Sequence, residues 1–252
     1  MASRLITSSD NTFFKLVKKL TNRKYRLKEG LFIAEGIKIV EENTEYSALI
    51  INQERESELS SFLIDKEYFV VPKHLFSEIS SQENSQGILG IYKIPEEKSC
   101  FESNNVIVLD KLQDPGNIGT IIRTADAAGF KDIVLLDGCS DIFNEKCVRS
   151  SMGSIFRINF FYKSQEEFLS FAKLNNYSII STALDEDSIN YTQIKLDNKN
   201  FIVFGNEGNG ISKEILSKSS QKIIIPILGK AESLNVSIAC AIILYKIREI
   251  IN

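Results

Sequence analysis

The chain has 252 residues, 43% of them hydrophobic, and 30 basic against 33 acidic side chains give a formal net charge of -3. That length buries one large core or two ordinary ones, two being the preferred reading, and so small a net charge neither announces a nucleic-acid binder nor excludes one. Cys100, Cys139, Cys147 and Cys240 form no Cys-x-x-Cys pair and the single histidine, His74, has no cysteine near it, which excludes a sequence-local zinc site and leaves free thiols suited to a reducing cytoplasm.

The charge is unevenly placed. Residues 1–28 hold eight basic side chains (Arg4, Lys15, Lys18, Lys19, Arg23, Lys24, Arg26 and Lys28) against Asp10 alone, whereas residues 29–99 hold six basic and fourteen acidic ones. The N-terminus has no apolar leader, so a cytoplasmic protein with neither membrane nor metal as partner is expected. From Asn11 to Leu20, the apolar Phe13, Phe14, Val17 and Leu20 recur at helical spacing, with Lys15, Lys18 and Lys19 mostly on other faces. This predicts a basic amphipathic helix. Short apolar runs at Leu31–Ala34, Ala48–Ile51, Tyr68–Val71 and Ile88–Tyr92 alternate with polar helical segments and predict a small α/β domain over 1–95. A polar stretch at 96–104 is expected as the linker.

Over 105–252 the pattern is more regular. Strands are predicted at Val106–Leu109, Ile133–Leu136, Ser178–Thr182, Phe201–Phe204 and Lys222–Ile225. Helices are expected at Ile118–Ala128, Gln165–Leu174 and Ser212–Lys218, and from Ser233 to the end. Such alternation implies a mainly parallel sheet covered on both faces, with ligands beyond the C-terminal ends of the strands. The apolar stretch Val236 to Tyr245 is far short of the roughly 20 residues a membrane helix needs.

Three strand-to-helix turns carry the unusual residues. In the first, Asp114-Pro115-Gly116 makes a turn, Asn117 is read as the helix N-cap, and Arg123 lies six residues on, on roughly the same side of the helix. An arginine among Ile121, Ile122, Thr124 and Ala125 is either a surface ion-pair partner or a guanidinium offered to phosphate. In the second, Gly205-x-x-Gly208-x-Gly210 follows a strand but has neither the dinucleotide fingerprint nor a Gly-Lys-Ser/Thr ending. Glu207 would repel a pyrophosphate and would tolerate a cationic sulfonium. In the third, Pro226 and Gly229 lead to Ser233, Asn235 and Ser237, which open a helix apolar nearly all round; capping is the bland reading of these polar groups.

Taken in order, Asn117-x5-Arg123, Gly205-x-Glu207-Gly208-x-Gly210 and Pro226-x2-Gly229-x3-Ser233-Leu-Asn-Val-Ser237 resemble the three motifs of the SpoU/TrmH family of RNA ribose 2′-O-methyltransferases, over essentially all of 105–252. Phe32-Ile-Ala-Glu-Gly-Ile-Lys-Ile-Val-Glu41 resembles the start of the ribosomal-protein-like RNA-binding domain that precedes the catalytic domain in many members. The resemblance implies an α/β fold class: a C-terminal SPOUT domain with a deep trefoil knot, a topology general rules disfavour. It also implies S-adenosyl-L-methionine as cofactor, RNA as substrate, with large-subunit ribosomal RNA favoured, and a homodimer. Carried onto this sequence, Thr182, Ala183, Leu184, Gly205, Asn206, Gly210, Ile225, Ile227 and Leu234 would hold the cofactor. Arg123, Asn117, Glu207, Ser233 and Asn235 would form the catalytic set, and Lys15, Lys18, Lys19, Arg23, Lys24, Arg26 and Arg149 would meet RNA. A tRNA methyltransferase, a non-catalytic RNA-binding member of the fold and, more remotely, a dinucleotide-dependent oxidoreductase are the rival readings.

Overall fold

A computed structural model describes residues 3–251. The chain divides into two compact units, one running as far as Glu96 and including Asp141–Phe156, the other made of Glu97–Ser140 and Arg157 onward. The first unit contains β1 (Ser3–Leu5), α1 (Thr12–Lys19), α2 (Arg23–Glu29), β2 (Leu31–Glu35), α3 (Ile37–Glu42), β3 (Ala48–Asn52), β4 (Tyr68–Val71), α4 (Lys73–Ile79) and β5 (Ile88–Lys93). Its sheet runs β1-β4-β3-β5-β2, with β5 antiparallel to both neighbours.

Period-two alternation separates the two faces of this sheet. Ile50, Leu89 and Ile91 face Phe14, Val17 and Leu20 of the N-terminal segment and Leu75, Phe76 and Ile79 of α4, while Leu49, Ile51 and Ile88 pack with Val40, Leu59 and Leu63. The basic N-terminal segment is therefore docked by its apolar stripe and is not a free arm.

The second unit opens with β6 (Asn105–Asp110), α5 (Pro115–Ala127) and β7 (Asp132–Leu136). The chain then supplies 141–156 to the first unit, including α6 (Glu145–Ser151), and returns as β8 (Asn159–Lys163), α7 (Gln165–Leu174), β9 (Ser178–Thr182), β10 (Ile189–Asn190), β11 (Asn200–Gly205), α8 (Lys213–Lys218), β12 (Gln221–Ile224) and α9 (Val236–Ile251). The seven strands lie in the order β10-β12-β9-β11-β6-β7-β8, and every pairing is parallel. Val106, Val108, Phe201 and Val203 cover one face together with Phe168 and Ala172 of α7 and Ile215 of α8.

Two parts of the chain differ from the sequence reading. The stretch expected as a linker packs onto the second unit from Glu97 on: Phe101 lies 4.4 Å from Phe161 and 5.7 Å from Phe201, and buried Asp132 accepts the backbone N–H groups of Glu102 and Ser103 at 2.9 and 2.7 Å. Within the first unit, 141–156 is held by rings and by charge. Phe143 sits 4.8 Å from Phe32, and Phe156 sits 4.7 Å from Tyr92.

The charged tie is Arg26, 3% exposed, and it corrects the expectation that this side chain meets RNA. Its Nη2 and Nε donate to Asp141 Oδ2 at 2.6 and 3.0 Å, and its Nη1 donates to the carbonyls of Leu20 and Thr21 at 2.7 and 2.8 Å. Four of the guanidinium's five donors are thus committed inside the unit, which leaves too little to offer a phosphate.

Candidate active site

In the second sheet, β12, β9, β11 and β6 are consecutive neighbours. The turns that follow them therefore lie side by side at the C-terminal edge, where parallel sheets bind ligands. The helix after β6 is capped by Asp114, whose side chain accepts the Gly116 N–H at 2.7 Å, with Pro115 in the first turn. Asn117, expected at the cap, sits one turn further in, which frees its side chain for other partners.

Those partners come from the other two turns. Asn117 Nδ2 donates to Glu207 Oε1 at 2.8 Å, and Asn117 Oδ1 accepts from Asn235 Nδ2 at 3.0 Å. Asn235 Oδ1 in turn accepts the Ser237 N–H at 2.9 Å and its hydroxyl at 2.6 Å, and the Asn235 carbonyl accepts the Ala239 N–H at 3.0 Å. Residues 90 and 118 positions apart from Asn117 are thus joined through a single amide.

Arg123 lies further along α5, exposed, and among the described residues it forms no hydrogen bond or ion pair. Its bland reading as half of a surface salt bridge therefore has no partner. Ser233 is exposed and likewise makes no hydrogen bond among the described residues.

The glycine turn is a tight hairpin. Asn206 and Gly210 exchange backbone hydrogen bonds at 3.0 and 2.9 Å, and the Asn206 side chain accepts the N–H groups of Gly208 and Asn209 at 2.9 and 3.0 Å. A Cβ on Gly205 would stand 2.4 Å from the Gly210 carbonyl carbon, so only glycine permits this closure. Thr182 Oγ1 donates to the Val203 carbonyl at 3.1 Å and the Ala183 N–H to the Ile223 carbonyl at 3.0 Å, which fixes the end of β9.

Around these turns Leu184, Leu228 and Leu234 are 69%, 97% and 38% exposed, Ile225 and Ile227 are half-buried, and space beside Gly229 is open. Main-chain groups, aliphatic side chains and one carboxylate fit a ligand with an aromatic base and a cationic sulfonium; they do not fit a pyrophosphate. Thiolate chemistry at Cys139, Cys147 and Cys240 is disfavoured at neutral pH, since burial pushes the Cys139 thiol up to about 11 and raises the other two further. Among the described residues no cluster of His, Cys, Asp and Glu could hold a metal, and no helix is long and apolar enough to cross a membrane.

Of the basic residues expected to meet RNA, Lys15 pairs with Asp10 at 2.7 Å, Lys18 with Glu78 at 2.6 Å, and Lys19 lies over the Tyr25 ring at 5.5 Å. Arg23 and Lys24 are exposed in the first turn of α2. Arg149, exposed on α6, reaches Ser81 Oγ at 3.4 Å. The sequence reading missed Asp110, Lys111 and Ser212, which border the glycine turn; an aspartate closing a buried strand was the one signal available.

Residues 104–245 match the SpoU rRNA Methylase family, and residues 11–90 match the MRM3-like substrate binding domain. The chain is similar to the 23S rRNA (guanosine(2553)-2'-O)-methyltransferase RlmP of Bacillus subtilis, 35% identical over 96% of this chain and 98% of that one. Its structure resembles the AdoMet-bound rRNA methyltransferase from Sinorhizobium meliloti, with a TM-score of 0.86, 29% identity and 99% of each chain covered. A TrmH/SpoU tRNA modifying enzyme from A. aeolicus matches with a TM-score of 0.52 and 26% identity over 59% of this chain and 76% of that one.

Proposed function

Because the chain belongs to the SpoU rRNA Methylase family, we propose that it methylates one ribose 2′-hydroxyl of large-subunit ribosomal RNA. It is an S-adenosylmethionine-dependent RNA ribose 2′-O-methyltransferase, with the family's two-part α/β architecture: a substrate-binding domain followed by a SPOUT-type methylase domain. The observation that favours ribosomal RNA is coverage: the relative named for 23S rRNA spans 96% of the chain, whereas the tRNA-modifying neighbour covers 59% of it.

Bound S-adenosylmethionine supplies an activated methyl on a cationic sulfonium. The turns at Thr182–Leu184, 205–210 and 225–234 would hold it through main chain and aliphatic contacts, with Leu184 and Leu234 against the base. Arg123 would grip the phosphate beside the target ribose and stabilise the developing alkoxide; a delocalised guanidinium is a poor proton acceptor. Asn117, held by Glu207 and Asn235, would orient the ribose, and Ser233 would complete the pocket.

The substrate is tested by incubating the enzyme and labelled S-adenosylmethionine with 23S, 16S and transfer RNA from cells lacking the gene. Label confined to 23S RNA is expected; label confined to tRNA would overturn the reading. A cytoplasmic location, where such RNA meets free thiols, belongs to the same proposal.

A homodimer is also part of it. α9 buries Ser237, Cys240, Ile243, Leu244 and Ile247 within its unit yet leaves Ile238 and Tyr245 51% and 53% exposed, and an apolar helix face so placed is suited to a second copy. Sedimentation should give twice the 28.4 kDa chain mass, and Tyr245→Glu should shift it toward the monomer. A wild-type monomer at micromolar concentration would refute the dimer.

RNA gripping is assigned to Lys15, Lys18, Lys19, Arg23, Lys24 and Arg149. Arg23→Ala with Lys24→Ala should reduce the slope of log affinity against log salt by about 0.7 to 0.9 per lost phosphate contact. An unchanged slope would make α2 a solvated helix.

A further inference from the structure

The end of β6 holds both ends of the glycine turn. At the entrance, Asn206 Nδ2 donates to the Lys111 carbonyl at 2.9 Å; at the exit, the Ser212 N–H donates to Asp110 Oδ2 at 2.6 Å. Three features mark this as more than a loop contact. Asp110 is 1% exposed, and its second oxygen, Oδ1, is buried with no hydrogen-bond partner among the described residues, an expensive arrangement for a carboxylate. Lys111 is held at φ +57°, a left-handed conformation that few non-glycine residues adopt and that tends to collect at working sites. Asp110 also stands in direct register with Gly205, the residue from which the turn departs.

Between the two tethers the turn presents Glu207, whose carboxylate reaches Asn117 at 2.8 Å. Glu207 is exposed at the tip of a glycine-rich hairpin, and its one side-chain hydrogen bond among the described residues is the one to Asn117. Its position is set by where the hairpin enters and leaves.

We propose that Asp110 is a positioning residue for methyl transfer: by pinning Ser212, with Lys111 pinning Asn206, it fixes the glycine turn so that Glu207 holds Asn117 in its working orientation. A charged acceptor gives the exit tether a strong, short hydrogen bond, which is the reason to keep a carboxylate there despite the unpartnered oxygen. This role rests on the reading of Asn117 and Glu207 as parts of the active site.

The test is a double-mutant cycle read by single-turnover methyl transfer at saturating cofactor and RNA, with thermal unfolding followed in parallel. Glu207→Ala should slow transfer. Asp110→Ala should slow it by on the order of tenfold, as expected for losing one charge-assisted hydrogen bond at a catalytic loop, and should add almost nothing in the Glu207→Ala background. Asp110→Asn keeps an acceptor for Ser212 but loses its charge, so its rate should fall between those of the wild type and Asp110→Ala. If Asp110→Ala fails to fold, Ser212→Pro removes the same hydrogen bond from the donor side at a residue whose φ of -54° already suits proline, and should show the same dependence on Glu207. Losses that multiply in the double variant, or an Asp110→Ala enzyme at full rate, would overturn the positioning role and leave the site assignment standing. A Glu207→Ala enzyme at full rate would overturn both.

Discussion

Arg123→Ala should abolish methyl transfer while leaving S-adenosylmethionine affinity unchanged, because the cofactor is assigned to the turns after β9, β11 and β12 and Arg123 stands on the helix after β6. The side chain is exposed and unpaired among the described residues, so removing it breaks no hydrogen bond or ion pair there and should change stability little. Arg123→Lys separates the two roles an arginine can have here. Lysine keeps the charge and loses the planar donor fork, so a phosphate-gripping and electrostatic role predicts a fall on the order of a hundredfold, comparable to losing one oxyanion donor. A proton-accepting role predicts recovery with rising pH instead, since a lysine with a pKa of about 10.4 loses its proton far more readily than arginine. Single-turnover rates from pH 7 to 10 on the cognate RNA decide between them. Alkaline rescue of the lysine variant but not of alanine would reject the electrostatic role, and a near-normal alanine variant would reject the site.

The largest expected effect on stability is at Asp141. Asp141→Ala leaves the Arg26 guanidinium, 3% exposed, without its ion-pair partner, and breaking a buried pair from one side typically costs about 3–5 kcal/mol. Against a total stability of about 5–15 kcal/mol for a folded domain, that is enough to unfold a marginal one. Urea denaturation should show the loss in the first unit, with binding to RNA falling and cofactor affinity, assigned above to turns of the second unit, preserved. Arg26→Met with Asp141→Leu should recover only part of the stability, because the apolar pair avoids burying any charge but leaves the Leu20 and Thr21 carbonyls without their guanidinium donor. An Asp141→Ala chain as stable as wild type would show that the pair contributes nothing.

Strands with a continuous apolar run were legible because a buried parallel strand has no other way to satisfy both faces: Val106–Leu109 and Phe201–Phe204 fall inside β6 and β11. β8 was not legible, since Asn159-Phe-Phe-Tyr-Lys163 has only three apolar residues and exposes Tyr162 at the sheet edge. Nor was α6, whose Cys147, Val148 and Ser151 are buried within a short helix between turns. Asn117 was singled out by its turn and misplaced as the cap, because Asp114, three residues earlier, accepts the Gly116 N–H.

The sequence by itself determined the alternation of strands and helices, the three glycine- and asparagine-bearing turns, and through them the family and its chemistry, because those features depend on local conformation and on spacing along the chain. Only the tertiary structure decided which basic residues are free. Arg26 has the same composition around it as Arg23 and Lys24, yet it is buried on Asp141, a residue 115 positions away. The same holds for the site: that Asn117 joins Glu207 to Asn235, and that Asp110 and Lys111 tether the glycine turn, follows from strand order in the sheet. Strand order is fixed by long-range packing, to which no local sequence pattern points.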